Sequence, residues 1–409
     1  VSHNRRRQAT ATETLASAPD PDPSHCLHMD WSAFRSQFPV TASWAFFDHA
    51  AVAPLPTPAV MALHDYATSL AANGITAFRQ WAARLARVRE LAAKLINSPT
   101  PEDVYFVPNT THGISVVAEG FPWQPGDNVV LAAEEYPANQ YPWMNLAPRG
   151  VEVRAVPSRG SRVIIDDLRA AMDLRTRVLT VSAVEFASGF RHDLDALGEL
   201  CRERGVFFFV DAIQALGVFP FDVQKTPIDA LAADGHKWLL GPEGAGIGYI
   251  RREWVERLHA FGVGAFSVVN PWAFSTIDFR LKPHAGRWEG GAYNMPGLTA
   301  MGASIELLLN AEIENVRQRV LELTDYLCAA AVTRGWQVFS SRVESEKSGI
   351  VSLIHPTLPP EDVVKRCRAA GVVVNARAGR VRVSPHAYNT EAEIDQFLQV
   401  VSEVSDAGA

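Results

Sequence analysis

The sequence lacks the features that mark several large functional classes. Its 409 residues include four cysteines, Cys26, Cys201, Cys328 and Cys367. They lie far apart with no C-x-x-C pair, which argues against a zinc site or a disulfide framework and fits a reducing cytoplasm. Thiols on helices, buried or partly buried, are the expectation for them. No apolar run reaches the roughly 20 residues of a bilayer-crossing helix, so no membrane span is expected. The formal charge of -7 leaves no basic excess for a nucleic-acid stripe. Neither G-x-G-x-x-G after the first strand nor a G-x-x-x-x-G-K-[ST] loop occurs, which sets aside a nucleotide-binding α/β protein. There is no internal repeat, and no metal-ligand spacing.

What is present is an ordinary globular composition, 47% hydrophobic and 20% charged. The length is too great for one comfortable core and predicts two domains. Residues 1–28 have no hydrophobic periodicity and read as a disordered extension, with Met29 opening a more typical stretch. Residues 29–57 are expected to pack on the small domain and the active site, 58–299 to form a large domain, and 300–409 a small one. From residue 58 helical and strand patterns alternate. Pro58 to Leu95 reads as helix, with Arg79, Arg84, Arg87 and Arg89 on its wetter side. Strands are predicted near 104–107, 129–132, 151–156, 178–183 and 207–210, and a helix capped by Asp193 over 194–204. This alternation predicts an α/β fold with a mostly parallel sheet covered on both faces. The last hundred residues, with a long helix over 300–334, read as a smaller α+β domain.

The chemistry concentrates between Phe207 and Tyr249. A buried strand ends in Asp211, with Gln214 three residues on, and Asp234-Gly235-His236-Lys237-Trp238 precedes a glycine-rich turn. A carboxylate at the carboxyl end of a parallel strand sits where open α/β sheets bind ligands. Taken singly, such an Asp is more often a turn residue, and a His-Lys pair more often faces solvent. Together, an acid, an amide and a lysine around one strand match what pyridoxal phosphate demands: an imine-forming amine, an acid beside the ring nitrogen, and donors around the phosphate. Asn109-Thr110-Thr111-His112-Gly113 opens a helix after a strand, and a helix N-terminus favours an anion.

The segment from Val210-Asp211-Ala212-Ile213-Gln214 to Asp234-Gly235-His236-Lys237-Trp238 resembles the class V aminotransferase-type enzymes of pyridoxal phosphate fold type I, the group with cysteine desulfurases, selenocysteine lyase, isopenicillin N epimerase and kynureninase. The resemblance spans roughly residues 31–403. It implies that Lys237 carries the cofactor and works as acid and base at the substrate's Cα. Asp211 would pair with the ring nitrogen, Gln214 would donate to the ring oxygen, and His236, Thr110 and Thr111 would hold the phosphate. Tyr136 would stack on the ring, and Arg382 would clamp the substrate carboxylate, with Arg377 and Arg380 as local competitors. His49, in Phe47-Asp48-His49-Ala50-Ala51, would lie beside the substrate. Glu185 and Ser188 face the cofactor on the same analogy. A homodimer acting on a small amino acid is implied.

The sequence also departs from this group. Where a desulfurase carries its persulfide cysteine, Asn375-Ala376-Arg377-Ala378-Gly379-Arg380 has none. Asp234 stands where serine is usual, and Ala292 where a threonine reaches the partner's cofactor. Amino transfer is the family-level expectation. A C–S lyase, a desulfurase-like enzyme without the usual cysteine, and an epimerase are the alternatives, with a non-catalytic relative further behind.

Overall fold

In the computed structural model, residues 29–402 are described; the expectations for residues 1–28 and for Cys26 lie outside the described residues. Seven strands form the central sheet: β1 Val104–Val107, β2 Asn128–Ala132, β3 Glu152–Val156, β4 Thr176–Ser182, β5 Phe207–Asp211, β6 Ala230–Asp234 and β7 Gly246–Ile250. Their order is β1-β7-β6-β5-β4-β2-β3. Every neighbouring pair from β6 to β3 is parallel, and β7 runs against both β1 and β6. Strands covered on both faces should be apolar throughout. Phe207-Phe208-Phe209-Val210 is, and all of β5 is buried. At the edge, β3 alternates polar and apolar residues and is only partly buried.

Two strands, β6 and β7, escaped the sequence reading. Ala230-Leu231-Ala232-Ala233 has little β-branched character, and Gly246 and Gly248 interrupt the apolar pattern of β7. The glycines are there for contact rather than flexibility. A Cβ on Gly248 would sit 2.3 Å from the Tyr105 ring, and one on Gly246 would sit 2.6 Å from the Ala233 carbonyl oxygen.

Two predicted long helices are each broken once. The first divides into Thr57–Asn73 and Phe78–Leu95, where Gly74 turns the chain at φ +50°. The second divides into Met295–Asn310 and Ile313–Thr333 around Glu312, at φ +61°. Arg89 is not on the wet side as expected. It makes a bidentate pair with the buried Glu289, both contacts 2.8 Å, and lies over the Phe106 ring.

A second sheet follows: β8 Gln337–Val338, β9 Val351–Ile354, β10 Asn375–Arg377 and β11 Arg380–Val383, antiparallel in the order β10-β11-β9-β8. Helices Ile313–Thr333, Pro360–Ala369 and Glu391–Ser402 contribute Leu327, Cys367 and Phe397 to its apolar core, which also takes Phe47. Ala45–Phe46 pairs with Val372–Val373, and Ser384 N–H donates to the Phe47 carbonyl. The early chain is thereby fixed to the late one. No described helix is long and apolar enough to cross a membrane.

Candidate active site

Parallel strands deliver their carboxyl ends to one rim of the sheet. There Asp211 ends β5, Asp234 ends β6, and the chain leaving β2 reaches Tyr136. Helix Thr110–Gly120 starts at the same rim, with Asn109 as its cap accepting from the His112 N–H at 2.8 Å. Gly113 lets that helix sit on the sheet, since a Cβ there would lie 2.4 Å from that of Ala232. The result is a cavity of about 290 Å³ lined by Thr110, Thr111, Tyr136, Asp211, Gln214, His236, Lys237 and Arg382, together with Arg377, Phe186 and Asn109.

Lys237 lies on a tight turn closed by Leu240 N–H to the Lys237 carbonyl (2.9 Å) and Gly241 N–H to the Gly235 carbonyl (2.8 Å). Leu240 holds φ +59°, a conformation costly for a branched residue, and its carbonyl is anchored by Ser304 Oγ at 2.7 Å. The Lys237 side chain is buried, with Nζ 5.5 Å from the centre of the Tyr136 ring. Among the described residues no carboxylate lies within ion-pair distance of it and no acceptor holds it. Burial, with Arg382 and Arg377 adding to it, brings its amine down to about 8.

Asp211 accepts from the Ile213 N–H at 3.0 Å and is pushed up to about 6 by burial. Gln214 is fixed at both ends of its amide: Nε2 donates to the Ala50 carbonyl (3.1 Å), and Oε1 accepts from Trp238 Nε1 (2.9 Å). One amide hydrogen remains for a ligand. Asp234 does not oppose an anion at the helix N-terminus. Its carboxylate turns to the Gly235 N–H and to His236 Nδ1, while its own N–H donates to Thr110 Oγ1. That leaves His236 Nε2 and the Thr110 and Thr111 hydroxyls as donors.

Arg382 is 1% exposed. It donates to the Phe186 carbonyl (3.0 Å) and to Asp48 Oδ1 (3.1 Å), and its Nε has no partner. Asp48, held also by Asn375 Nδ2, is the orienting acid that the sequence reading passed over for its neighbour. His49 is the correction. It is fully buried, with Nδ1 on the Ser384 carbonyl (2.9 Å) and Nε2 on Tyr388 OH (2.8 Å), and it does not line the cavity. Ala50, Ala51 and Val52 line it instead. Glu185 and Ser188 also miss this cavity and line a second one. Arg377, taken as a competitor of Arg382, lines the same cavity with it, and Phe186 was not singled out. An Arg beside Arg382 and an aromatic after β4 carry no spacing signal of their own.

No described cysteine reaches the cavity. Cys201, Cys328 and Cys367 are buried on helices, with burial pushing the Cys328 thiol up to about 11 and the Cys367 thiol up to about 12.

The Aminotransferase class-V family model matches residues 45–397. A probable cysteine desulfurase of Methanothermobacter thermautotrophicus is 29% identical over 397 residues, covering 91% of this chain and 98% of its own. The solved cysteine desulfurase CsdA of Escherichia coli superposes with a TM-score of 0.83 at 25% identity, covering 91% of this chain and 98% of that one. The cystine C–S lyase C-DES, solved with its reaction product cysteine persulfide, gives a TM-score of 0.84 at 22% identity, covering 90% and 99%. A lysine-to-alanine mutant of C-DES, with glycine covalently linked to its PLP cofactor, gives 0.85 at the same identity and coverage.

Proposed function

The chain belongs to the class-V aminotransferase family, whose members are pyridoxal-phosphate-dependent enzymes, and from that premise we propose that it breaks the Cβ–S bond of a cysteine-type amino acid by elimination, without a persulfide on the protein. The family-level expectation of plain amino transfer gives way to its carbon–sulfur alternative, because the relatives are named cysteine desulfurases. The elimination reading is carried by one observation: a cavity with a buried, unpaired lysine that no described cysteine reaches.

The residues fit the cofactor. A buried ammonium without a counter-ion is unfavourable unless it has a task, and Lys237 is an amine so placed. Thr110, Thr111, His236 and the free N–H groups of the helix start suit the phosphate. Asp211 suits the ring nitrogen, whose positive charge would restore the ionised carboxylate. When bound, pyridoxal phosphate acts as the electron sink for the pair released at the substrate's Cα.

The chain's own groups do the rest. Arg382, pre-oriented by Asp48, receives the substrate carboxylate. The Lys237 amine takes the Cα proton and can return it to the leaving sulfur. Tyr136 and Phe186, edge to face at 5.2 Å, give the cavity an aromatic side. Product analysis tests the proposal. S-ethylcysteine should yield pyruvate, ammonia and ethanethiol, whereas the keto acid of the intact substrate, formed only with an acceptor keto acid, would replace elimination by amino transfer.

We also propose a homodimer. Trp272, Phe274, Ile277 and Phe279 are 55–90% exposed in one short segment, and such apolar exposure is unusual on a free monomer. Light scattering should give twice the chain mass; a monomer at micromolar concentration would refute this.

A further inference from the structure

A second cavity, of about 300 Å³, adjoins the first across Phe186, which lines both. Its lining includes Glu134 and Glu185, from the chain leaving β2 and β4. Arg380, Phe339 and Ser158 line the same cavity. The catalytic role assigned above uses none of these side chains.

Glu185 is 2% exposed. Its Oε1 meets His192 Nε2 at 3.1 Å and its Oε2 has no partner, an unsatisfied buried oxygen of the kind that calls for a ligand. Glu134 accepts from the Ser158 N–H at the exposed side of the same cavity. Glu135 is buried nearby, its carboxylate held by Ser182. His192 does not supply the missing cation, because burial brings it down to about 4. Arg380 lies on the Phe339 ring, 3.8 Å from its centre. It spends only Nε, on Ser352 Oγ at 3.1 Å, so its terminal nitrogens have no acceptor among the described residues.

An unpaired acid and a cation with spare donors lining one cavity, one partition away from the bond-breaking site, suit a zwitterion. We propose that the second cavity binds a second amino-acid head group at the far end of the substrate, its ammonium received by Glu185 and Glu134 and its carboxylate by Arg380. The substrate class is then a cysteine whose sulfur bears another amino acid, as a thioether or disulfide. This deepens the elimination reading and rests on it for the identity of the bond that breaks. Burial and the neighbouring acids push Glu185 up to about 8, so it is largely protonated at neutral pH and ionises when an ammonium arrives beside it.

The test separates binding from cleavage by using carbon chains that have no sulfur to lose. The holoenzyme's visible spectrum is titrated with norleucine, lysine, 2-aminopimelate and 2,6-diaminopimelate, which carry at the far end neither group, the amine, the carboxylate, or both. Diaminopimelate should bind roughly tenfold to a hundredfold tighter than norleucine, the range of one or two charge-assisted hydrogen bonds. Glu185→Gln should remove the advantage of lysine over norleucine while leaving norleucine unchanged. Arg380→Met should remove that of diaminopimelate over lysine. Glu134→Gln, on the exposed side, gives a milder loss in a protein whose buried network is intact. Equal affinity for norleucine and diaminopimelate, or variants that weaken all four ligands alike, would overturn the proposal. Either result stands whether or not S-ethylcysteine is cleaved, so a failure of the elimination reading is read separately.

Discussion

Lys237 lies where an ammonium is poorly solvated, and the pull of Asp211 and Asp234 offsets only part of that burial, so its amine is brought down to about 8. An amine attacks a carbonyl only as the free base. Uptake of pyridoxal phosphate by the apoprotein should therefore accelerate with rising pH up to about 8 and then level. Stopped-flow absorbance reads this directly, and borohydride reduction should place the cofactor on the peptide containing Lys237. Arg382 is held in advance by Asp48 and the Phe186 carbonyl. Arg382→Lys keeps the charge but loses the fork, and should raise KM for the amino acid about tenfold with a smaller change in kcat. Lys237 was singled out by an acid, an amide and a lysine around one strand, and Arg382 by its resemblance to the class V segment; both line the cavity. His49 was misplaced because proximity along the chain says nothing about which way a ring points. Its nitrogens are consumed by Ser384 and Tyr388, while the preceding residue, Asp48, holds the Arg382 guanidinium.

Among the elements, helix Thr110–Gly120 aims its free N–H groups at the cavity only because Gly113 lets it touch β6. Gly113→Ala should cost about 1–3 kcal/mol of stability through overpacking. It should also weaken cofactor binding, since the helix start must back away from the site. Urea denaturation and a cofactor titration measure the two effects. The strands with continuous apolar runs were legible, and β6 and β7 were not. Their alanines and glycines are selected by the closeness of Tyr105, Ala233 and helix Thr110–Gly120, which only the folded arrangement reveals. The breaks at Gly74 and Glu312 were hidden for a related reason: apolar periodicity continues across both, and only the backbone turns.

For the whole molecule, three histidines are buried in neutral form. Burial brings His49 and His192 down to about 4 and His386 well below its usual range. In the unfolded chain each binds a proton near pH 6.5. Stability contributed by these groups is complete above about 6.5 and is lost as pH falls from there toward 4, where the unfolded state holds protons the native state does not. The slope should reach about 1.4 kcal/mol per pH unit for each histidine. His192→Gln should make stability less dependent on pH between 6.5 and 5 in urea titrations.

The central claim is that sulfur leaves the substrate without passing through a thiol of this protein. Alkylation of the native holoenzyme with iodoacetamide before S-ethylcysteine is added tests it most directly, because it challenges every thiol the reagent can reach, whichever cysteine carries it. Unchanged release of pyruvate and ethanethiol is the expected result. Inactivation that substrate prevents, or alanine and a protein persulfide formed from cysteine, would contradict the account and return the chain to the desulfurase mechanism.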